Sequence, residues 1–242
     1  MTKVASQQTR VYLDEFDLSG DLNSSALDLR NELANVTTFA DSGPRRVEGN
    51  YDTTHQHTGF FDGAGDGIDD AVFAALGSNV DHCLAQLFGG DAEGSVGYES
   101  VVRIERQPRV ARVGEAVSLS FDAAGSNGTA RAVVVRNGSI TGVDTGAGRD
   151  LGATSASQTM VVTARVVSGT FTNLALDIQQ SNDDGSTDPY ANVNGLAFTF
   201  SGPGVSRKTI SAATEAWKRV RVTAFAGTSA QLLVTIGVLQ GA

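Results

Sequence analysis

Apolar and polar residues alternate with a period of two along most of this chain, and this pattern constrains its fold more than any other feature. Glycine is frequent, at 28 residues, whereas proline is rare, at 4. Glycine, serine, threonine, asparagine and aspartate fill the gaps between short apolar runs, which is typical of many strands joined by tight turns. We therefore predict a mainly β protein whose 242 residues can bury a core in one or two domains.

Two neighbouring segments show the alternation most clearly. In SALDLRNEL, three leucines fall on one face, and Asp28, Arg30 and Glu32 fall on the other. Leucine, arginine and glutamate also favour helices, but the turn residues before this segment and the β-branched NVTTF after it favour a half-buried strand. In NYDTTHQHTGFF, the alternation places Asp52, Thr54 and Gln56 on one face of a strand, opposite the two histidines.

One segment has helical periodicity, and we predict a short helix near residues 66–77. Asp66 can cap its N-terminus, and Asp69 lies where the helix dipole favours negative charge. Gly77 is a natural C-terminal stop. The apolar stripe at helical spacing consists of Ile68, Val72, Ala75 and Leu76.

The remaining strands divide the chain into two regions. The first region is expected to continue with HCLAQLFG, YESVVRIER and EAVSLSFDAAG, and the second with ARAVVVRNG, QTMVVTARVV, TNLALDIQQS, KRVRVTAFAG and AQLLVTIGVL. Strands at this spacing predict β-sandwiches. We expect an acidic sandwich domain over residues 1–125. We expect residues 126–242 to form a second β-rich, sandwich-like domain or to complete the first fold.

Charge is unevenly distributed between these regions. Through residue 125 there are 20 acidic and 9 basic residues, a balance of −11, whereas the remainder has 7 acidic and 9 basic residues. An acidic surface argues against gripping nucleic acid, because binding needs cations that displace phosphate counterions. No run of 18 apolar residues occurs, so we expect a soluble protein made in the cytoplasm, with no membrane contact. Cys83 is the only cysteine, which excludes a disulfide within the chain.

The sequence offers little support for catalysis or metal binding. His55 and His57 have spacing suitable for two ligands of a metal, but a third ligand is not evident, so a polar strand face or an assembly surface is the favoured interpretation. A calcium loop starting at Asp62 fails at its third and twelfth positions, Ala64 and Phe73. The NDDGSTD segment is explained equally well by aspartate and asparagine turns. We expect no enzyme activity, no cofactor and no metal.

Several short motifs together resemble the tail tube proteins of long-tailed, siphovirus-like bacteriophages. In that family, a D-L-S motif precedes a strand of alternating apolar and polar residues, and a V-T-T-F-x-D motif follows that strand. A second alternating strand then ends in a G-F-F-D motif before a helix. The later LALDIQQSNDDGSTDPYANV and the final KRVRVTAFAGTSAQLLVTIGVL are similar to the second half of the same proteins. The matching residues here are Asp17–Leu18–Ser19, Val36–Thr37–Thr38–Phe39 with Asp41, Arg45 or Arg46, and Gly59–Phe60–Phe61–Asp62.

The resemblance implies a structural role in the virion tail. Such proteins stack as rings, usually hexameric, around a channel through which DNA passes during ejection without specific binding. A trimer with pseudo-six-fold symmetry is the alternative. The implied partners are copies of itself, the tape measure protein, and the tail terminator and baseplate proteins. The implied lumen-facing residues are Asp28, Arg30, Glu32, Asp52, Thr54 and Gln56. The implied inter-ring loop runs from Val36 to Val47 and includes Val36, Thr37, Thr38, Phe39, Asp41, Arg45 and Arg46.

A different class of function stays open, namely a β-sandwich capsid-decoration or adhesin module that binds a host surface or a glycan. Sugar-binding platforms usually present aromatic side chains, whereas aromatic residues make up 7% of this chain and Trp217 is the only tryptophan. Trp217 is therefore expected to be a packing residue at a strand edge.

Overall fold

A computed structural model of the chain describes residues 8–38, 42–63 and 67–239. The described part consists mainly of strands, with one short helix, α1 (Ile68–Ala75), which confirms the predicted fold class. The strands are β1 (Arg10–Leu13), β2 (Phe16–Asp17), β3 (Leu22–Asn35), β4 (Arg46–Phe60), β5 (His82–Leu87), β6 (Val96–Arg106), β7 (Arg109–Val110), β8 (Ser118–Ile140), β9 (Asp144–Thr145), β10 (Arg149–Asp150), β11 (Met160–Ser181), β12 (Ala191–Phe200), β13 (Gly204–Ile210) and β14 (Trp217–Leu239).

All strand pairs are antiparallel, and they form one continuous sheet in the order β12-β11-β14-β8-β6-β5-β1-β2. β4 pairs with the first part of β8 and carries β3 on its outer edge. β8 lies at the centre of the sheet, with β6 paired to one of its edges. On the other edge, β4 pairs with the first part of β8 and β14 pairs with its second part.

Three strands are much longer than the sequence predicts. β8, β11 and β14 have 23, 22 and 23 residues, and each joins two segments that we predicted as separate strands. β11 and β14 stay paired throughout, with irregularities in register where Gly169 and Gly227 lie. Both glycines are required there, since a Cβ on Gly227 would lie 2.4 Å from Phe171 Cβ and one on Gly169 would lie 2.4 Å from Ser229 O. The predicted breaks are therefore bulged bends within continuous strands.

The buried apolar residues form two main cores. One core contains residues between Val11 and Ala123, including the buried stripe of α1, which packs against the inner face of β5, β6 and β8. The other contains residues between Val135 and Ile236, where the two ends of β11 and β14 face each other across a sandwich. Each of these two cores draws on one side of residue 125, whereas a third, smaller core joins Tyr12, Ala85 and Leu87 to Val134 and Leu233. The division into two domains stays a prediction. β8 nevertheless passes through residue 125 without a break.

The helix agrees with its prediction except at its ends. Its buried residues are Ile68, Ala71, Val72 and Ala75, and the structural N-cap is Gly67. Gly77 has a φ of +76°, as expected for a glycine that ends a helix. The predicted capping residue, Asp66, lies outside the described residues.

Candidate assembly surface and buried polar network

The hairpin of β3 and β4 brings the predicted lumen residues together on one face. Its register places Asp28 opposite Thr54 and Arg30 opposite Asp52. Gln56 lies one pair further along on the same face, while residues 53, 55 and 57 point inward and are buried. The alternation read from the sequence of β4 is therefore confirmed. The backbone of Glu32 lies in β3, but its side chain is outside the described part of the structure.

Arginines partly neutralise this polar face. The guanidinium of Arg30 lies 2.5 Å from Asp28 Oδ2, and Arg106 on β6 pairs with Asp122 on β8, which lies opposite Gln56. Asp52 is the third acid of this face and interacts electrostatically with Arg30. The described part of the face is thus less acidic than the −11 balance of the first 125 residues suggests. Other carboxylates of this region pair with cations elsewhere in the fold.

The outer half of the hairpin projects beyond the rest of the sheet. β4 pairs with β8 only from Thr54 to Phe60, and no described strand pairs with the outer edge of β3. The side chains exposed on this projecting half and its loop are Leu29 (44%), Leu33 (51%), Val36 (41%), Val47 (49%) and Tyr51 (48%). A cavity of about 310 Å³ lies beneath it, lined among others by Leu29, Tyr51 and Tyr98. The predicted burial of Leu29 and Leu33 is therefore wrong for the single chain.

The loop at the tip of the hairpin is held at its base by hydrogen bonds. Val36 N donates to Arg45 O over 3.0 Å, and Arg45 N donates to Thr37 Oγ1 over 2.8 Å. Asn35 Oδ1 accepts from Thr37 N over 3.0 Å. Arg45 and Arg46 are exposed, as are Thr37 and Thr38. Two further residues of the predicted inter-ring loop, Phe39 and Asp41, lie outside the described residues.

The two histidines of β4 are buried in a polar network rather than exposed. His55 Nδ1 donates to Gln86 Oε1 over 3.1 Å, and Ser100 Oγ donates to His55 Nε2 over 2.9 Å. Gln86 Nε2 donates to Ser25 Oγ, whose hydroxyl donates to His57 Nδ1 over 3.0 Å. The expectation of a polar strand face or an assembly surface is therefore wrong for these residues, because β5 and β6 cover this face of β4.

Burial keeps both imidazoles neutral. Desolvation lowers the pKa of His55 to about 4 and that of His57 to about 3, where the neighbouring His55 contributes further. His57 also stacks on Phe121, with ring centroids 4.6 Å apart, and its Nε2 is buried without a hydrogen-bond partner among the described residues. Within residues 8–38, 42–63 and 67–239, no group of three or more histidine, cysteine or acidic side chains is placed to hold a metal ion.

A buried ion pair joins the two halves of the chain. The guanidinium of Arg165 on β11 makes two hydrogen bonds, of 2.6 and 2.7 Å, to the carboxylate of Glu99 on β6. Both side chains are 2% exposed or less. Thr235 Oγ1 also donates to Glu99, and Arg165 Nε donates to Asp14 O. This arrangement satisfies both charges where the two cores meet, and sequence periodicity gives no sign of it because the partners are far apart in the chain.

A second arrangement that the sequence did not reveal links the turn after α1 to the turn after β1. Ser78 Oγ lies 2.9 Å from His82 Nε2, and His82 Nδ1 lies 2.6 Å from Asp14 Oδ2. This is the order of groups in a serine hydrolase triad. Ser78 Oγ also accepts a hydrogen bond from Val80 N, while Asp14 accepts one from Cys83 N. We assign the arrangement to holding these two turns together.

Comparisons with known proteins give structural neighbours only. No protein-family model matches the chain, and no curated protein matches it by sequence. A chain of the virion of a native gene transfer agent particle is 12% identical, with a TM-score of 0.46, over 53% of this chain and 98% of that chain. The SPP1 tail tube protein is also 12% identical, with a TM-score of 0.43, over 52% of this chain and 77% of that chain.

A third neighbour spans nearly the whole chain. It is the SPP1 Dit protein (gp 19.1), described as a hub adsorption apparatus in phages that infect Gram-positive bacteria. It is 12% identical, with a TM-score of 0.38, over 96% of this chain and 99% of that chain. In the part of this chain that the structure describes, no helix has the length and apolar character needed to cross a membrane. The structural neighbours of this chain are thus components of virion and phage tails.

Proposed function

We propose that this protein is a structural subunit of a siphovirus-like phage tail, which assembles into stacked rings that form the tail tube. It acts by assembly rather than by catalysis, and phage DNA passes through the channel during ejection. The observation that carries the proposal is the projecting half of the β3–β4 hairpin. It pairs with no third strand among the described residues, and it presents exposed apolar side chains on both strands. The tail tube motifs of the sequence lie in and around the same hairpin.

The physical argument is that this hairpin is incomplete in a single chain. A two-stranded hairpin is at best marginally stable in water unless a further strand or a packing surface covers it. Seven residues of β3 lie from Leu29 to Asn35, which extend roughly 23 Å at about 3.3 Å per residue. A free edge of that length with apolar side chains invites pairing with another chain. A neighbouring copy would cover Leu29 and Tyr51 and fill the cavity beneath them.

The polar face of the hairpin is our proposal for the channel wall. Asp28, Arg30, Asp52, Thr54 and Gln56 lie together on it, on the side of the sheet opposite the core. Glu32 belongs to the same proposal through its place in β3. Hydroxyl, amide and paired charged groups offer DNA no cluster of unpaired cations, so the phosphates would pass without being held. The described face supports this role through its charge pairing rather than through a strong negative charge.

The remaining parts of the proposal concern contacts along the tail axis. The tip of the hairpin, with Val36, Thr37, Thr38, Arg45 and Arg46, would reach the neighbouring ring. Phe39 and Asp41 are included through their place in the sequence. The tape measure protein inside the tube, and the tail terminator and baseplate proteins at its ends, are the proposed partners. We propose hexameric rings. A trimer of pseudo-six-fold symmetry is the alternative, because the chain has two sandwich-like cores.

The test is electron microscopy of the purified protein at low and high salt, with two matched variants. Leu33→Ser removes an exposed apolar side chain from the hairpin, whereas Val143→Ser removes one, 70% exposed, from the second half. We expect rings and tubes for the unchanged protein and for Val143→Ser, favoured by salt because it screens repulsion between acidic subunits. Leu33→Ser should assemble poorly while staying folded by circular dichroism.

The images also separate the parts of the proposal. Particles that stay monomeric under all conditions would refute assembly, and glycan binding would be the next function to test. Rings that never stack would refute a tube while leaving a ring-forming tail component. A reconstruction of the tubes should place Asp28, Asp52 and Gln56 on the inner wall, and an outward orientation of this face would refute the channel assignment.

A further inference from the structure

A cavity of about 200 Å³ opens between the two layers of the second sandwich, and Arg131 separates it from the cavity beneath the β3–β4 hairpin. Its wall is mainly apolar and comes from β8, the loop after β10, the start of β11 and both ends of β14. The lining residues that matter for its chemistry are Val133, Leu151, Met160, Ile236, Arg131 and Lys218. A cavity with an apolar wall and a few charged groups is the usual form of a small-molecule site.

Lys218 is the unusual member of this wall. It lies on β14 with the inward-facing Val220 and Val222, and only 1% of it is exposed. Nζ donates to the backbone oxygen of Glu215, which leaves two of its three N–H donors for other acceptors. Desolvation lowers the pKa of Lys218 to about 8, against the opposing influence of Glu215 and Asp150. A buried ammonium without a full counter-ion is costly, and an anion in the cavity would offset that cost.

Two arginines extend the positive charge to the mouth of the cavity. Arg131 lines both the cavity and an adjoining groove of about 540 Å³, and no ion pair among the described residues involves it. Arg149 lines the groove; it binds Glu93 through Nη2, while its Nε is buried without a partner in the described structure. Among the lining residues, these two arginines and Lys218 face a single acid, Asp150. Arg149 is paired with Glu93, and Glu215 and Asp150 lie near Lys218, so the cations that remain for a ligand are Arg131 and the two free donors of Lys218.

We propose that this cavity binds a small organic anion, a carboxylate or phosphate monoester attached to a short aliphatic body. Lys218 and Arg131 hold the anionic group, and the aliphatic body packs against Met160, Leu151 and Ile236. Arginine suits this role because its planar guanidinium donates to two oxygens of a carboxylate or phosphate at once. The proposal does not rest on tube assembly, although Arg131 also lines the cavity beneath the hairpin, whereas Lys218 and the apolar wall do not.

The test uses the full chain and the fluorescence of Trp217, which lines the adjoining groove and is the only tryptophan. Sodium hexanoate and hexyl phosphate are the probes. Three controls accompany them. Hexanol lacks the charge, hexylammonium carries the opposite charge, and inorganic phosphate lacks the aliphatic body. We expect saturable binding of at least one anionic probe, about tenfold or more tighter than hexanol, because hydrogen bonds to charged groups contribute that much. Isothermal titration calorimetry provides a second measurement of the same affinities.

Three variants locate the binding within the molecule. Lys218→Met keeps most of the length of the side chain and removes its charge, and Arg131→Gln removes the charge of an exposed residue. Lys208→Met is the matched control, because Lys208 lies on β13 away from the cavity lining. Each of the first two variants should weaken anion binding about tenfold, whereas Lys208→Met should leave it unchanged. If Lys218→Met does not fold, Arg131→Gln is read together with Tyr51→Ser, which changes only the cavity beneath the hairpin and should leave anion binding unchanged.

Three results would overturn the proposal. Equal affinity for hexanol and the anions would show that the cavity is only an apolar space. Affinities unaffected by Arg131→Gln would place the anion elsewhere. A lack of saturable binding by both anionic probes would exclude a site for this class of ligand. If one anion binds clearly more tightly than the other, that difference identifies carboxylate or phosphate as the preferred group.

Discussion

Acidification from pH 7 to pH 5 should destabilise this protein through its two buried histidines. The folded state holds His55 and His57 neutral because burial lowers the pKa of His55 to about 4 and that of His57 to about 3. In the unfolded chain both rings have a pKa of about 6.5. Between about pH 6.5 and pH 4 the unfolded state therefore binds more protons than the folded state. The stability contributed by the neutral rings is fully present above pH 6.5 and is lost as the pH falls through this window.

The expected loss follows from these values. At pH 5 nearly all unfolded chains carry both protons, while few folded molecules carry either. Between pH 7 and pH 5, the free energy of unfolding should fall by about 2 kcal/mol for each histidine, and by up to about 4 kcal/mol for the pair. The geometry supports neutrality independently of the pKa values. His55 Nε2 accepts from Ser100, and His57 Nε2 has no acceptor among the described residues that would stabilise a positive charge.

Urea unfolding followed by circular dichroism at pH 7 and pH 5 tests this prediction. The midpoint of the unchanged protein should fall by about 1 M or more between the two pH values, given the usual dependence on urea. The double variant His55→Gln and His57→Gln should lose much less stability between pH 7 and pH 5. His82→Gln removes the third histidine, and this variant should still lose most of the stability that the unchanged protein loses. If the double variant is as sensitive to pH as the unchanged protein, the burial argument is wrong.

Two further predictions concern the packing of the fold. Arg165→Met or Glu99→Gln alone should lower the free energy of unfolding by about 3–5 kcal/mol, since either leaves a buried group uncompensated. The double variant should recover part of this loss. Denaturant unfolding of the unchanged protein, the two single variants and the double variant measures the coupling energy between Arg165 and Glu99, and purely additive losses would contradict the prediction. Gly227→Ala should destabilise by about 1–3 kcal/mol, because the added Cβ would lie 2.4 Å from Phe171 Cβ. Gly138→Ala has open space around its Cβ and should differ little from the unchanged protein by thermal unfolding.

The alternation of residues was sufficient to predict the strands, the single helix and the faces of β4. Thr54 and Gln56 point outward and His55 and His57 point inward, because a period of two leaves no other arrangement once the strand forms. The stripe of α1 was predictable for the same kind of reason, since a spacing of three and four residues places side chains on one side of a helix. These are local properties of the chain, and local sequence is enough to specify them.

The ends and continuity of strands were not predictable in the same way. Glycines between apolar runs look like turns in a sequence, whereas Gly169 and Gly227 instead allow close approach of two paired strands at a bend. Whether such a glycine reverses the chain or bends it depends on the strand alongside. The predicted pairs of strands are therefore continuous in β11 and β14.

The sequence by itself thus determined a β-rich chain with one helix, an acidic first half and a hairpin with one polar face. Only the tertiary structure decided what covers each face. Leu29 and Leu33 look like core residues in the sequence but lie on a projecting hairpin, and His55 looks like a surface residue but lies under β5 and β6. The Arg165–Glu99 pair and the cavity at Lys218 also join residues that are distant in the chain. Burial depends on which distant strands pack together, and periodicity carries no information about distant partners.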